Sequence, residues 1–435
     1  MPWLLIFLLI PIAVGMLLRR VPPRQARNII LLSEIPAVLA IGWLCHAPGI
    51  AIFPGAVWGE ALFAAITIVF AGFAVRQSPP WPFISFNLIL LAGFSTLLAA
   101  HTHSNVALVL LANLPAVLLA VLRKSAHRFG DADARINPAA WPSLLLAIIS
   151  VAAASQVAPA AATNVAPAPV HAPPSFFAMW MAAIMVLTLI WQLLLSVELA
   201  SSLPAGHPYA GKPGLEADQR MMVTYLQLAS QAAILAALYR LNAATHSVAL
   251  VHNTVWLMAG GMLVVGMSML LMERAIPTMI RLMEIIWIAI WLLESVAGNV
   301  AGAAVLSTGF MALLILMAAG RLLNITLSPH PNRPMDMDDL SELSRQRPAA
   351  ILGLFLVVLG FQMIPVMPGF RFIKPIIESP LRQHILILAL VLSACGVMVV
   401  TSFRIFAAMH RASPTEKLPM PNADNPHEIE ITPNG

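Results

Sequence analysis

Few residues in this chain could do chemistry, and they are scattered. Five acids fall within or beside apolar stretches: Glu34, Glu60, Glu198, Glu284 and Glu294. An ionisable group at bilayer depth is costly and is kept there for a purpose. Glu60 and Glu198 stand at stretch ends, where a long side chain reaches the interface. Glu34 lies about a third of the way into its stretch, where ion handling, packing and an interfacial position are all open. Glu284 and Glu294 are ten residues apart. On a helix that sets them about 15 Å apart along the axis and about 80° around it, too far to act as a carboxylate dyad. Arg281 stands three residues before Glu284, the spacing of a same-face ion pair. The spacing predicts an Arg281–Glu284 pair on the cytoplasmic side, with Glu294 at the opposite membrane face. Such a pair could be structural or part of an ion path.

Metal and cofactor chemistry find little support. His101-Thr102-His103 is too short a motif for a metal site, and His246 and His252 fall near a stretch end. Cys45 and Cys395 sit in distant apolar segments, so neither a disulfide nor an iron–sulfur cluster is expected. No glycine-rich phosphate loop occurs. The expectation is no catalytic residue, no cofactor and no metal. The acidic run Asp336, Asp338 and Asp339 is the clearest cluster, but a lipid-phosphate transferase would need clustered acids and bases at one interface.

The elements that must position these residues are apolar helices. The chain of 435 residues is 60% hydrophobic and 10% charged, against about 25% charged in a soluble domain. Runs such as 385–400 are apolar on nearly all sides, unlike the alternating strands of a barrel. The expected class is all-α, a polytopic integral membrane protein of about thirteen spans. These fall at roughly 3–18, 28–45, 57–75, 82–101, 105–122, 142–159, 176–196, 222–241, 248–272, 279–296, 299–322, 348–366 and 383–408. The first run, without a basic start or a cleavage site, reads as a retained span.

Charge placement gives the orientation. Arg19, Arg20, Arg24 and Arg27 follow the first span; Arg76 the third; Arg123, Lys124, Arg128 and Arg135 the fifth. Lys212 and Arg220 follow the seventh, Arg274 the ninth, and Arg321, Arg333, Arg345 and Arg347 the eleventh. The loops between are free of Lys and Arg, apart from Arg240 and the 367–382 loop. The positive-inside rule then puts the N-terminus out and the C-terminus in. The net charge of +5 reports topology, and no nucleic-acid partner is expected. Residues 1–411 form the transmembrane domain, with an Ala/Pro-rich extracytoplasmic loop at 152–175 and a polar cytoplasmic loop at 323–347. Residues 412–435, polar and Pro/Asn-rich, form a disordered cytoplasmic tail.

Residues 336–374, DMDDLSELSRQRPAAILGLFLVVLGFQMIPVMPGFRFIK, carry a resemblance. Asp339-Leu340, Arg347-Pro348 and the turn Ile364-Pro365-Val366-Met367-Pro368-Gly369-Phe370 resemble a junction in antiporter-like membrane subunits. Those subunits occur in respiratory complex I, group-4 membrane hydrogenases and related complexes. Residues 278–283, TMIRLM, and 307–320, STGFMALLILMAAG, resemble two further helices of that family, in the same order. The resemblance is carried by about 250–410.

It implies the antiporter-like fold, and it turns departures into information. Asn113 stands where the family has an intramembrane Glu, Gln192 stands near the lysine of its seventh helix, and Gln231 or Ala232 near that of its eighth. Thr308 and Ala312 replace a His and a Lys, and Lys374 lies one residue from a further charged position. Only four lysines occur in the whole chain. Proton transfer needs groups that exchange protons near neutral pH, and amides cannot ionise. The resemblance therefore implies a structural or modulatory membrane subunit with a degenerate proton path. Its expected partners are other membrane subunits, the lipid bilayer and a cytoplasmic redox module reached through the 321–347 segment. Its expected place is the bacterial inner membrane. The competing reading is a stand-alone secondary transporter for a cation or small solute. As for enzyme activity, at most a non-catalytic subunit of an oxidoreductase complex is expected.

Overall fold

The structure, a computed structural model, describes residues 102, 104–128, 140–157, 176–198, 213–245, 248–297, 302–327, 335–362 and 385–410, with parts of 62–70 and 89–99. The described parts of 62–70 and 89–99 are helical. Then follow α1 (Asn105–Arg128), α2 (Ala140–Gln156), α3 (Phe176–Glu198), α4 (Pro213–Thr245), α5 (Ala249–Met272), α6 (Ile276–Ala297) and α7 (Gly302–Leu327). A 3₁₀ turn (Met337–Asp339) leads into α8 (Leu340–Gln346), α9 (Pro348–Gly360) and α10 (Ile385–Met409). Among the described residues the only β feature is an isolated bridge, Ala275 to Asp336.

Among the described residues four helices are long and apolar enough to cross a membrane: Phe176–Ser196, Ala249–Met272, Ile276–Ser295 and Leu388–Met409. Their packing explains how an apolar helix can have two apolar faces. On α5 the buried stripe Val251, Val255, Ala259, Met262, Leu263, Gly266 and Leu270 recurs every three to four residues and faces the bundle. The other face exposes Leu257, Val264, Val265 and Met272. Those side chains suit lipid, where no polar outer face is needed. Helix α6 differs, being buried on nearly all sides between α4, α5 and α7, with Trp287 and Trp291 fully enclosed. It is the axis of this half of the bundle. The other half is the chain of contacts α1 to α2, α2 to α3, and both α1 and α3 to α4.

Several boundaries correct the sequence expectations. Helix α4 starts at Pro213, so Arg220 is helical rather than in a loop. Helix α7 runs to Leu327, past the expected end at 322, so Arg321 lies well inside the helix and not at the start of a loop. Helix α2 reaches Gln156, so the 152–175 segment begins as helix, and its residues 158–175 lie outside those described. Helix α9 stops at Gly360, earlier than expected. The described end of the 323–347 segment is ordered. Asp336 accepts from the Met337 amide at 2.7 Å, and the Asp339 carboxylate accepts from the Asp336 amide at 2.8 Å. This reciprocal cap starts the 3₁₀ turn and α8. Backbone bonds from Ile276 to Met335 (2.9 Å) and from Met337 to Arg274 (3.2 Å) tie it to the α5–α6 turn. Arg404 on α10 closes the same end of the bundle by donating to the carbonyls of Leu270, Leu271 and Glu273 at 2.9–3.2 Å. A cation on the last carbonyls of α5 satisfies orphan acceptors and opposes the helix dipole.

Candidate functional site

Two kinds of buried polar group stand inside this apolar bundle. The first kind is neutral and lies among α1, α2 and α3. Asn113 on α1 donates from Nδ2 to its own Val109 carbonyl at 2.8 Å and to Ser150 Oγ on α2 at 3.1 Å. Gln192 on α3 donates from Nε2 to Ser143 Oγ on α2 at 2.6 Å. Both amides are buried, and their side-chain oxygens, Asn113 Oδ1 and Gln192 Oε1, have no partner among the described residues. Pro115 lies two residues after Asn113, inside a helix that stays continuous. These contacts bind helices together and can hold water. They can neither give nor take a proton by ionising.

The second kind is charged and lies where α4, α6 and α7 meet. Glu284 is 0% exposed and Arg321 is 8% exposed. Arg321 Nη2 lies 2.9 Å from Glu284 Oε2, and Nε lies 3.5 Å from Oε1. The same guanidinium donates through Nη2 to Gln231 Oε1 and through Nη1 to the Thr224 carbonyl at 3.3 Å. Three helices thus converge on one arginine. A charge-assisted, nearly bidentate pair is strong, and its further donors are spent on α4 rather than left bare.

The local sequence explains how the helices come so close. Gly320, next to Arg321, lies where α7 crosses α6. A Cβ built there would stand 3.1 Å from Ile280 Cγ2 and 3.4 Å from Val357 Cγ1. Ile280 is one helical turn before Glu284, so this close crossing brings Arg321 onto the carboxylate. Beyond the same-helix spacing to Arg281, Glu284 makes a buried ion pair with Arg321, 37 residues further along.

Other expected site residues fall elsewhere. Ala312 is half-buried on α7 but nine residues from Arg321, hence on the opposite side of that helix. Thr308 is on α7 with its side chain outside the described residues, and Glu34 and Lys374 lie outside them altogether. Glu294 is 3% exposed, and its Oε2 has no partner among the described residues. The structure therefore unites Gln231 with Glu284 through Arg321. Asn113 and Gln192 are each held by a serine of α2 and are not drawn into that cluster.

Sequence reasoning missed Arg321, Gln227 and Ser230. The signal for the last two is plain in retrospect. Gln227, Ser230 and Gln231 stand at i, i+3 and i+4, one face of a helix in an otherwise apolar run. All three are buried. Gln227 Nε2, Ser230 Oγ and Gln231 Nε2 have no partner among the described residues. A further buried amide, Gln362 beyond α9, donates to the Met398 carbonyl at 2.9 Å and to Ser402 Oγ, fastening α9 to α10. Trp287 Nε1 donates to the Phe361 carbonyl at 2.8 Å and completes that junction. Among the described residues no three His, Cys, Asp or Glu side chains gather as a metal site would require.

No protein-family model and no curated protein sequence matches the chain. Solved structures do. A chain of respiratory complex I from Thermus thermophilus, solved with bound aureothin, superposes with a TM-score of 0.68 at 18% identity. The match covers 94% of this chain and 90% of that one. A chain of the Mrp complex from Dietzia sp. DQ12-45-1b matches with a TM-score of 0.63 and 14% identity, over 94% of this chain and 80% of that one. A chain of the membrane-bound sulfane sulfur reductase, an archaeal respiratory membrane complex, gives 0.67 and 14%, over 94% and 88%. At such identities the likeness is one of fold. The chain has the all-α, multi-pass fold of antiporter-like membrane subunits.

Proposed function

We propose that this chain is a membrane subunit of a complex I-like or group-4 hydrogenase-like energy-coupling complex, in which it stabilises or modulates the assembly without relaying protons. The reading is supported by the fold together with one observation. Where the resemblance expects ionisable groups, Asn113 and Gln192 are buried amides engaged with serines. The charge at Gln231 comes instead from Arg321, which is held in an ion pair with Glu284. An amide has no proton to exchange near neutral pH, and an arginine keeps its own.

On this reading the chain has about thirteen spans, N-terminus out and C-terminus in, in a bacterial inner membrane. Residues 412–435 form a cytoplasmic tail. Lipid covers the exposed apolar faces of α5 and α10, and other membrane subunits cover the remainder. A cytoplasmic redox module docks near the capped segment 335–347, whose Glu342, Arg345 and Arg347 offer charges of both signs. Purification from native membranes in mild detergent tests this. The expected companions are further antiporter-like subunits and a redox module. A chain that purifies alone and moves a solute by itself would be a stand-alone transporter.

A further inference from the structure

The face of α4 that carries Thr224, Gln227, Ser230 and Gln231 poses a problem of its own. Three of its buried side-chain groups, Gln227 Nε2, Ser230 Oγ and Gln231 Nε2, find no protein partner among the described residues. Leaving each bare costs about 1–3 kcal/mol. Buried groups in that position are ordinarily satisfied by ordered water bonded to several of them. Groups at i, i+3 and i+4 are close enough for shared waters. A file of water along such a face would pass protons unless something interrupts it. Arg321 reaches onto this same face, with Nη1 on the Thr224 carbonyl and Nη2 on Gln231 Oε1.

We propose that Arg321, held in place by Glu284, is a fixed-charge plug that bars protons and cations from the hydrated face of α4. This rests on the reading above that the chain is not a proton conductor. It goes further, in assigning the block to one side chain rather than to missing groups alone. A guanidinium stays charged at every physiological pH, so it neither relays a proton nor steps aside by losing one. A positive charge in a narrow polar passage repels cations and protons. Glu284 holds the plug in position, since a carboxylate 2.9 Å from Nη2 makes withdrawal into lipid costly. Gly320 sets the register by letting α7 close on α6.

The test is proton flux into liposomes holding the full chain, driven by a potassium diffusion potential and read with an internal pH dye. The wild-type chain is expected to match protein-free vesicles. Removing both charges in R321Q/E284Q leaves the amides and hydroxyls in place, and flux is expected to rise about tenfold, the change that about 1.4 kcal/mol of lost barrier produces. Gln231→Glu is the second variant, because it keeps Arg321 paired with Glu284 and adds a second, isosteric acid that makes the cluster net negative. It too is expected to conduct. Silence in whichever of the two folds, beside a silent wild type, would overturn the plug and leave the non-conducting reading standing. Flux through the wild type that R321Q/E284Q abolishes would overturn both, making the pair a relay.

Discussion

The α1–α3 half of the bundle and the α4–α6–α7 junction solve the same problem in opposite ways. Each must bury polar side chains in an apolar interior. The first uses neutral partners, Asn113 with Ser150 and Gln192 with Ser143, one hydrogen bond at a time. The second gathers a full positive and a full negative charge and spends four contacts of one guanidinium on three residues. The neutral pairs lose little if one member goes. The charged cluster stands or falls together, because one partner alone is a buried uncompensated charge. A bundle that needed only cohesion would be served by serines and amides throughout. Among the described residues the concentration of charge at this junction marks it as a place where electrostatics matters.

The sharpest way to break this contrast is to remove one charge. Glu284→Ala or Arg321→Ala should cost about 3–5 kcal/mol, while the double change to Leu and Met should cost less than either single change. Thermal unfolding of the four proteins in one detergent, read as a double-mutant cycle, measures the coupling. Additive losses would reduce the pair to two unrelated contacts. Gly320→Ala pushes a methyl group towards Ile280 at 3.1 Å and should cost about 1–3 kcal/mol by forcing α7 off α6. In the neutral half, Ser143→Ala removes the partner of Gln192 Nε2 and should cost about 1–2 kcal/mol, less than either single change at Glu284 or Arg321. Arg404→Leu uncaps α5 and should cost about 0.3–1 kcal/mol, appearing first as faster amide exchange at 270–273. A Ser143→Ala loss as large as that of Arg321→Ala would erase the distinction between the halves.

Much of the bundle was legible in the sequence. Spans expected at 105–122, 176–196, 248–272 and 383–408 meet α1, α3, α5 and α10 within a few residues at most ends, since run length and lost charge define a membrane helix. Polar helix ends are less legible. The first turns of α4, with Glu216, Asp218 and Arg220, read as loop although the backbone is helical. Arg321 failed for the same reason: a lone arginine after a glycine resembles a loop charge. Leu322, Leu323, Ile325 and Leu327 continue the apolar run and should have shown that the helix goes on. The partner of Glu284 was illegible in another way. Local spacing offered Arg281, and only the crossing of α6 by α7 brings Arg321 onto the same carboxylate. The acidic run at 336–339 was visible, but its role lay in the three-residue spacing of Asp336 and Asp339, which makes a reciprocal cap.

The central claim is that the amides of this chain bind helices and carry no protons. It is tested most directly by comparing proton flux in liposomes for the wild-type chain, Asn113→Ala and Gln192→Ala. The account predicts the same protein-free rate in all three. A saturable flux through the wild type that either alanine abolishes, with folding intact, would contradict it.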